Sequence, residues 1–217
     1  MEKKNRKSLW VAICLLAAFA AWTVLVKFID VQSIGPLGSK VGFAAINEYV
    51  HRLTGVHMAL YTATDLLSVI PLGFVAGFAV LGVIQFIKRK NPLKVDRDIL
   101  VLGGFYIVVM ALFLFFEKCV INYRPILIEG VLEASYPSST TMLVLCVMPT
   151  AMMQLNDRVR NLSARRALNV VLAVFTVFMV VGRLVSGVHW FTDIVGGAFL
   201  SAGLVTAYRC FSVPKNN

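Results

Sequence analysis

Charge is scarce in this chain. Only 15% of its 217 residues are Asp, Glu, Lys or Arg, eleven of them acidic, and there are three histidines. Apolar residues make up 59% and the mean hydropathy is +0.79. A soluble domain has an apolar share of roughly 45–50%, so that class is excluded. The four cysteines, Cys14, Cys119, Cys146 and Cys210, lie scattered through the chain. They show none of the close pairing of a metal knuckle or a secreted disulfide scaffold, and no metal site or cofactor is expected. Also missing is a continuous basic face. The net charge of +10 comes from short clusters between apolar runs, which fits orientation in a bilayer better than nucleic acid, so no nucleic-acid partner is expected. No internal repeat or low-complexity tract interrupts the chain.

What is present is a series of apolar runs. Met1–Lys7 is basic and precedes a run from Leu9 to Ile29. It is too long for a signal peptide and has no small-residue cleavage site after it, so it reads as a retained first span. Residues 34–39 are loop chemistry. Phe43, Ile46, Val50 and Leu53 then recur at helical spacing opposite Asn47, Glu48, His51 and Arg52, the pattern of an amphipathic helix lying at the membrane interface. A second span covers Leu66–Ile87, stopped by Lys88-Arg89-Lys90 with Asn91-Pro92 as a breaker. Asp65, beside Thr62 and Thr64, reads as that helix's N-cap, with an intramembrane functional acid as the alternative. Further spans are expected over Ile99–Phe116, Thr140–Leu155 with a kink at Pro149, from the basic loop 156–166 to Val185, and over Trp190–Tyr208. The expected architecture is all-α and integral to the membrane. It is a single domain over residues 1–217, with six transmembrane helices and the interfacial helix between the first two.

Six spans put both termini on one side. Fifteen of the twenty-one lysines and arginines fall there, which makes that side cytoplasmic by the positive-inside rule and the protein a multi-pass cell-membrane protein. The exceptions are Lys27, Lys40, Arg52, Lys118, Arg124 and Arg183. The last three belong to two polar clusters predicted to face outward together, and an anionic ligand outside is the economical reason for keeping cations there.

One cluster reads V-G-R-L-V-S-G-V-H-W-F-T-D-I-V-G-G from Val181 to Gly197. If its second run is helical, His189 and Asp193, four apart, share a face. The carboxylate then accepts the Nδ1 proton and leaves Nε2 as base, nucleophile or ligand. A capped helix start with interfacial charges is the alternative for this stretch alone. In the other cluster Tyr136-Pro137 precedes Ser138 and Ser139, which open a span and so offer hydroxyls and free backbone N–H groups to an anion. Pro-Ser-Ser also starts many helices that bind nothing. Joined to Arg124, Arg183 and an oriented imidazole, it reads as a phosphate site with a nucleophile.

On these residues the chain resembles the type 2 phosphatidic acid phosphatase (PAP2) family of membrane lipid phosphatases, related in fold to vanadium haloperoxidases. The family's motifs are written K-x6-R-P, P-S-G-H and S-R-x5-H-x3-D. Here they correspond to Lys118 with Arg124-Pro125, to Pro137-Ser138-Ser139-Thr140, and to Gly182-Arg183 with His189 and Asp193. The resemblance implies phosphate binding by Lys118, Arg124, Arg183 and the serines Ser138 and Ser139, attack by His189 to give a phosphohistidine, and no metal. It implies a lipid phosphate or diphosphate as partner: a polyprenyl diphosphate such as undecaprenyl diphosphate, phosphatidylglycerophosphate or phosphatidate, taken at the outer face.

Three departures stand out. Glu117, not Lys118, is seven residues before Arg124, so on a helix Lys118 is turned by about 100° from the family position. Gly182 and Ser139 are small changes. Thr140 is a large one, because the family has there the histidine that protonates the leaving oxygen, and an alcohol cannot do so. General acid catalysis contributes about 10²–10⁴-fold, so activity is expected to be low. A weak enzyme, a lipid-phosphate-binding pseudoenzyme and a phosphatase altered at this one position are the readings, and the intact surroundings favour the last. His51 and His57 do not restore the motif and read as interfacial. A transporter would need a polar route that the spans do not offer.

Overall fold

The long apolar runs become helices, as backbone without water must satisfy its own hydrogen bonds. The computed structural model describes residues 2–91 and 94–212, with side chains from Arg6 onward. Pro92, the side chains of Lys3 and Lys4, and Lys215 lie outside the described residues. Among them eight α-helices are seen: α1 Glu2–Phe28, α2 Ala44–Thr54, α3 Met58–Leu67, α4 Val69–Arg89, α5 Arg97–Lys118, α6 Ser139–Arg158, α7 Leu162–Val185 and α8 Phe191–Ser212. No strand occurs among the described residues, only isolated bridges.

Among the described residues five helical stretches are long and apolar enough to cross a membrane: Arg6–Phe28, Met58–Arg89, Arg97–Lys118, Leu162–Val185 and Phe191–Ser212. α6, the expected fourth span, is not among them. Its threonines, Gln154 and its charged last turn lower its hydropathy, and it is instead the most enclosed element. Thr141, Met142, Val144, Cys146, Val147, Met148 and Ala151 are buried on several sides of it, where α7, α8, α4 and α5 surround it. It runs unbroken through Pro149. Helices elsewhere leave valines, leucines and phenylalanines exposed along their outer faces, as lipid-facing surfaces do.

One sequence expectation is corrected. The span expected from Leu66 is preceded by α3, which begins at Met58, and the break comes at Ser68. Pro71 has no N–H for the carbonyl of Leu67, so the ladder lapses there. Asp65 is consequently inside α3 and caps nothing. α2, Ala44–Thr54, covers the stretch whose period marked a helix. Asn47 is fully buried, while Ile46 and Leu53 are exposed. The Asn47 amide donates to Gly42 O (2.8 Å) and Thr192 Oγ1 (2.9 Å), and its carbonyl accepts from Thr192 N (3.1 Å). A residue of the polar face thus caps the start of α8 from a distance, which period alone does not foretell.

Candidate active site

Between α5 and α6 the chain folds back on itself. Arg124 N donates to Glu133 O (3.0 Å) and Ser135 N to Asn122 O (2.9 Å), with a tight return at Ile128–Val131. Glu129 and Gly130 both take positive φ, the conformation of a short reversing turn. This excursion brings Arg124 beside Ser135 although eleven positions separate them. Below it, Phe19, Phe116 and Tyr136 form an edge-and-stack cluster, and the Tyr136 hydroxyl pairs with Thr23 Oγ1 at 2.8 Å. Gly196 lets α8 lie against that ring, since a Cβ there would fall 2.6 Å from Tyr136 Cε2.

The second half of the site is the turn from α7 to α8. Gly187 has φ +69° and sits so close to Gly55 that a Cβ would be 1.9 Å from its carbonyl oxygen, so only glycine fits. The turn delivers His189 before α8 begins, and Asp193 then falls in that helix's first turn. Its Oδ2 accepts from Trp190 N (2.9 Å), the reach-back half of a capping box. Asp193 therefore holds both the helix start and the imidazole region.

The direct His189–Asp193 bond expected from their spacing is replaced by a relay. His189 Nδ1 is 3.8 Å from Asp193 Oδ2, too long for a hydrogen bond. Ser135 stands between them: its hydroxyl donates to Asp193 Oδ2 in a short bond and lies 3.1 Å from His189 Nδ1. With its single proton directed at Asp193, Ser135 can only accept from Nδ1–H. Nε2 is then the unprotonated nitrogen, and it is buried without a partner among the described residues. Burial first, then the charges of Arg124 and Arg183, hold the imidazole's pKa well below its ordinary 6.5, so the free base is the resting form. The sequence reading missed Ser135; its only signal was its place two residues before Pro137.

Two guanidinium groups face the same region. Arg124 and Arg183 are buried, with Cζ atoms 5.9 and 4.8 Å from the Tyr61 ring centroid, a cation–π arrangement that offsets burial in part. Arg124 Nε is 3.0 Å from Glu133 Oε2, and Arg183 Nη2 is 3.7 Å from Asp65 Oδ1. Arg183 Nη1 donates to Thr64 Oγ1 at 3.4 Å. Arg124 Nη1 and Arg183 Nε have no hydrogen-bond partner among the described residues. Buried donors are rarely left so, and an oxyanion is the group that would engage them. Tyr61, Thr64 and Asp65 come from α3, which was not expected to belong to the site.

A recess of about 40 Å³ is lined by Arg124, Ser135, Ser139, His189 and Glu117, with Phe113 and Phe116 on its apolar side. Ser139 presents its side chain there. Ser138 is fully buried and serves as the N-cap of α6, its Oγ accepting weakly from Thr141 N at 3.5 Å. Lys118 is exposed on the last turn of α5 and does not line the recess, whereas Glu117 does. The lysine expected on the phosphate is thus turned away, the one-residue offset having the effect that helical geometry gives it. Thr140 lines a neighbouring cavity and not this recess. His51 Nε2 meets Gly187 O (3.1 Å) and His57 Nε2 meets Thr54 O (2.8 Å). The first braces the turn between α7 and α8, and neither lines the recess. Among the described residues no group of three or more His, Cys, Asp or Glu side chains could hold a metal.

Removing the relay hydroxyl should be visible. Ser135→Ala is expected to lower kcat about 10–100-fold, as loss of a hydrogen bond to a charged group costs about 1.5–3 kcal/mol, with KM little changed and Ser135→Thr recovering much of the rate. An unchanged kcat in Ser135→Ala would show that Asp193 orients His189 without it.

Comparison with known proteins came down to family and fold. Residues 115–216 match the PAP2 superfamily. The fold is similar to the crystal structure of the first transmembrane PAP2 type phosphatidylglycerolphosphate phosphatase from Bacillus subtilis, with a TM-score of 0.58 and 19% identity, covering 91% of this chain and 94% of that one. Aquifex aeolicus LpxE matches with 23% identity and a TM-score of 0.42, over 74% of this chain and 94% of that chain. No curated protein matches.

Proposed function

From a chain that carries the PAP2 superfamily pattern over residues 115–216, in the fold of a PAP2-type membrane phosphatase, we propose a lipid phosphatase that acts on a lipid phosphate or diphosphate at the extracytoplasmic face through a phosphohistidine at His189. The observation that carries this is the buried, unpartnered Nε2 of His189, a residue that lines the recess together with Arg124 and Ser139. A phosphoryl group seated there meets a free-base nitrogen on one side and guanidinium donors around its equatorial oxygens, where charge builds in the transition state. Asp193 acts through Ser135, holding the proton on Nδ1 and stabilising the charge that the ring gains. The mechanism uses no metal and no cofactor.

Release of inorganic phosphate from phosphatidate, phosphatidylglycerophosphate and a polyprenyl diphosphate by the purified chain in detergent tests the reading. Thr140 favours one competitor, a pseudoenzyme that binds lipid phosphates: retained binding of these lipids with no phosphate released from any of them is its signature.

In the bilayer, six spans with α6 as the fourth put both termini in the cytoplasm, and the exposed Ile46, Tyr49 and Leu53 of α2 rest in the outer interface. Cys119 is exposed where α5 ends and serves as a native reporter. It is expected to react with a membrane-impermeant maleimide added outside intact cells, with Cys119→Ser as control, while a cysteine placed at Arg160 reacts only after permeabilisation. The reverse pattern would turn the site to the cytoplasm.

A further inference from the structure

We propose that Asp65 donates the proton to the leaving oxygen, the role that Thr140 cannot fill; the inference rests on the phosphatase reading above. A second cavity, of about 350 Å³, lies beside the recess and is lined by Asp65, Ser68, Ser139 and Thr140 together with apolar side chains of α4, α5 and α6. The two spaces share Phe113, Ser139 and Met142, so they adjoin, and a substrate that spans them would divide between them. The recess holds the nucleophile and Arg124, which suit the phosphoryl group, and the cavity's apolar lining suits the start of a hydrocarbon tail. In-line displacement puts the leaving oxygen opposite His189, at the boundary where Ser139 stands, and on that side Asp65 is the carboxyl group and Thr140 its neighbour in the lining.

Asp65 is placed to change partners. Its Oδ1 is 3.7 Å from Arg183 Nη2, yet its side chain is 57% exposed while that of Arg183 is 2% exposed. Arg183 is therefore fixed and the carboxylate covers it from the open side. A phosphate arriving at Arg183 displaces that carboxylate and leaves two anions adjacent, and anions brought together in one site hold a proton between them. In the chemical step His189 Nε2 bonds to phosphorus as the bond from phosphorus to the lipid oxygen breaks, and the carboxyl proton of Asp65 passes to that oxygen. The products are the lipid alcohol, phosphohistidine and the Asp65 carboxylate. Water then attacks the phosphorus, the N–P bond breaks, inorganic phosphate leaves, and the water's proton returns to Asp65. Glu117 lines the recess with His189 and Arg124 and Glu133 is held 3.0 Å from Arg124 Nε; neither lines the cavity on the leaving-oxygen side.

The experiment compares the native chain with Asp65→Asn, Asp65→Glu, Glu117→Gln, Thr140→His and the double variant Asp65→Asn/Thr140→His, each assayed on phosphatidate and on a polyprenyl diphosphate. Loss of an acid weighs on the alkoxide leaving group, so Asp65→Asn should lose at least about tenfold more activity on phosphatidate than on the diphosphate, and Asp65→Glu should retain part of it. In the Thr140→His background the same Asp65→Asn change should cost far less. A merely structural role through Arg183 would lower both substrates equally, and that result overturns the proposal, as does phosphatidate-selective loss in Glu117→Gln in place of Asp65→Asn. If neither the native chain nor Thr140→His releases phosphate from any lipid, the phosphatase reading itself falls and this proposal with it. Turnover that ignores Asp65 overturns the proposal alone.

Discussion

His189→Ala is expected to abolish phosphate release and any acid-labile phosphoenzyme, the largest effect of any substitution in the chain. The imidazole lines the recess as a free base with Nε2 unpartnered, so it can bond to phosphorus without first losing a proton, as the hydroxyls of Ser135 and Ser139 would have to. Arginines that remain would still bind the head group, so the variant should keep affinity for lipid phosphates while losing turnover. Its pH behaviour follows from the same surroundings. Burial and the charges of Arg124 and Arg183 hold the pKa of His189 well below 6.5, so the nucleophilic free base persists as the pH falls through 6.5 and is lost only at lower pH. Phosphoenzyme formation in acid-quenched single turnovers should accordingly hold up below pH 6.5. A decline centred at 6.5 would mean an imidazole exposed to water, and full turnover in His189→Ala would refute the mechanism.

Much of this site was legible as sequence because each polar residue in an apolar chain needs a reason. Arg124, Ser139, Arg183, His189 and Asp193 were singled out by asking what cations, hydroxyls and an imidazole were doing at the ends of membrane runs; Arg124, Ser139 and His189 line one recess, while Asp193 bonds to Ser135 and Arg183 stands beside Asp65. Helical phase also gave fair warning about Lys118, whose offset from Glu117 is what turns it outward. Ser135 and α3 were not legible, for different reasons. Ser135 contributes a single hydroxyl whose meaning depends on the fold-back of residues 119–138, a long-range pairing with no period to read. The second span was expected to begin at Leu66, so α3 was not read as an element, and the pairing of Arg183 with Asp65 exists only once α7 packs beside it.

α2 and α6 both carry polar residues whose partners no period foretells. Period locates an apolar stripe but not what faces it, and beside a membrane an apolar stripe can turn outward to lipid while a polar side chain turns inward to a helix end. Asn47 does this for α8. α6 fails the hydropathy of a span because its neighbours, not lipid, surround it, so polar residues such as Thr150 and Gln154 find partners inside the protein: Thr150 Oγ1 donates to Cys146 O (2.8 Å) and the Gln154 amide to the Tyr208 hydroxyl (2.7 Å). A central helix is the one that sequence hydropathy undervalues.

Restoring histidine at position 140 should separate substrates by their leaving groups. Hydrolysis of a monoester such as phosphatidate expels an alkoxide, which is strongly basic and must be protonated as it departs. Cleavage of a diphosphate at its terminal phosphorus expels a phosphate monoester, whose second pKa of about 6 lets it leave with little help. A histidine matches neutral pH better than a carboxyl group does, so Thr140→His adds to what Asp65 supplies. The expected result is a gain of tenfold or more on phosphatidate, toward the 10²–10⁴-fold that a general acid contributes, roughly, in other enzymes, and a gain of only a few-fold on a polyprenyl diphosphate. The native chain should correspondingly prefer the diphosphate. Equal gains on both lipids would show that proton donation is not what Thr140 limits, and a Thr140→His variant inactive on every lipid while still binding them would make the chain a lipid-phosphate-binding protein and not an enzyme.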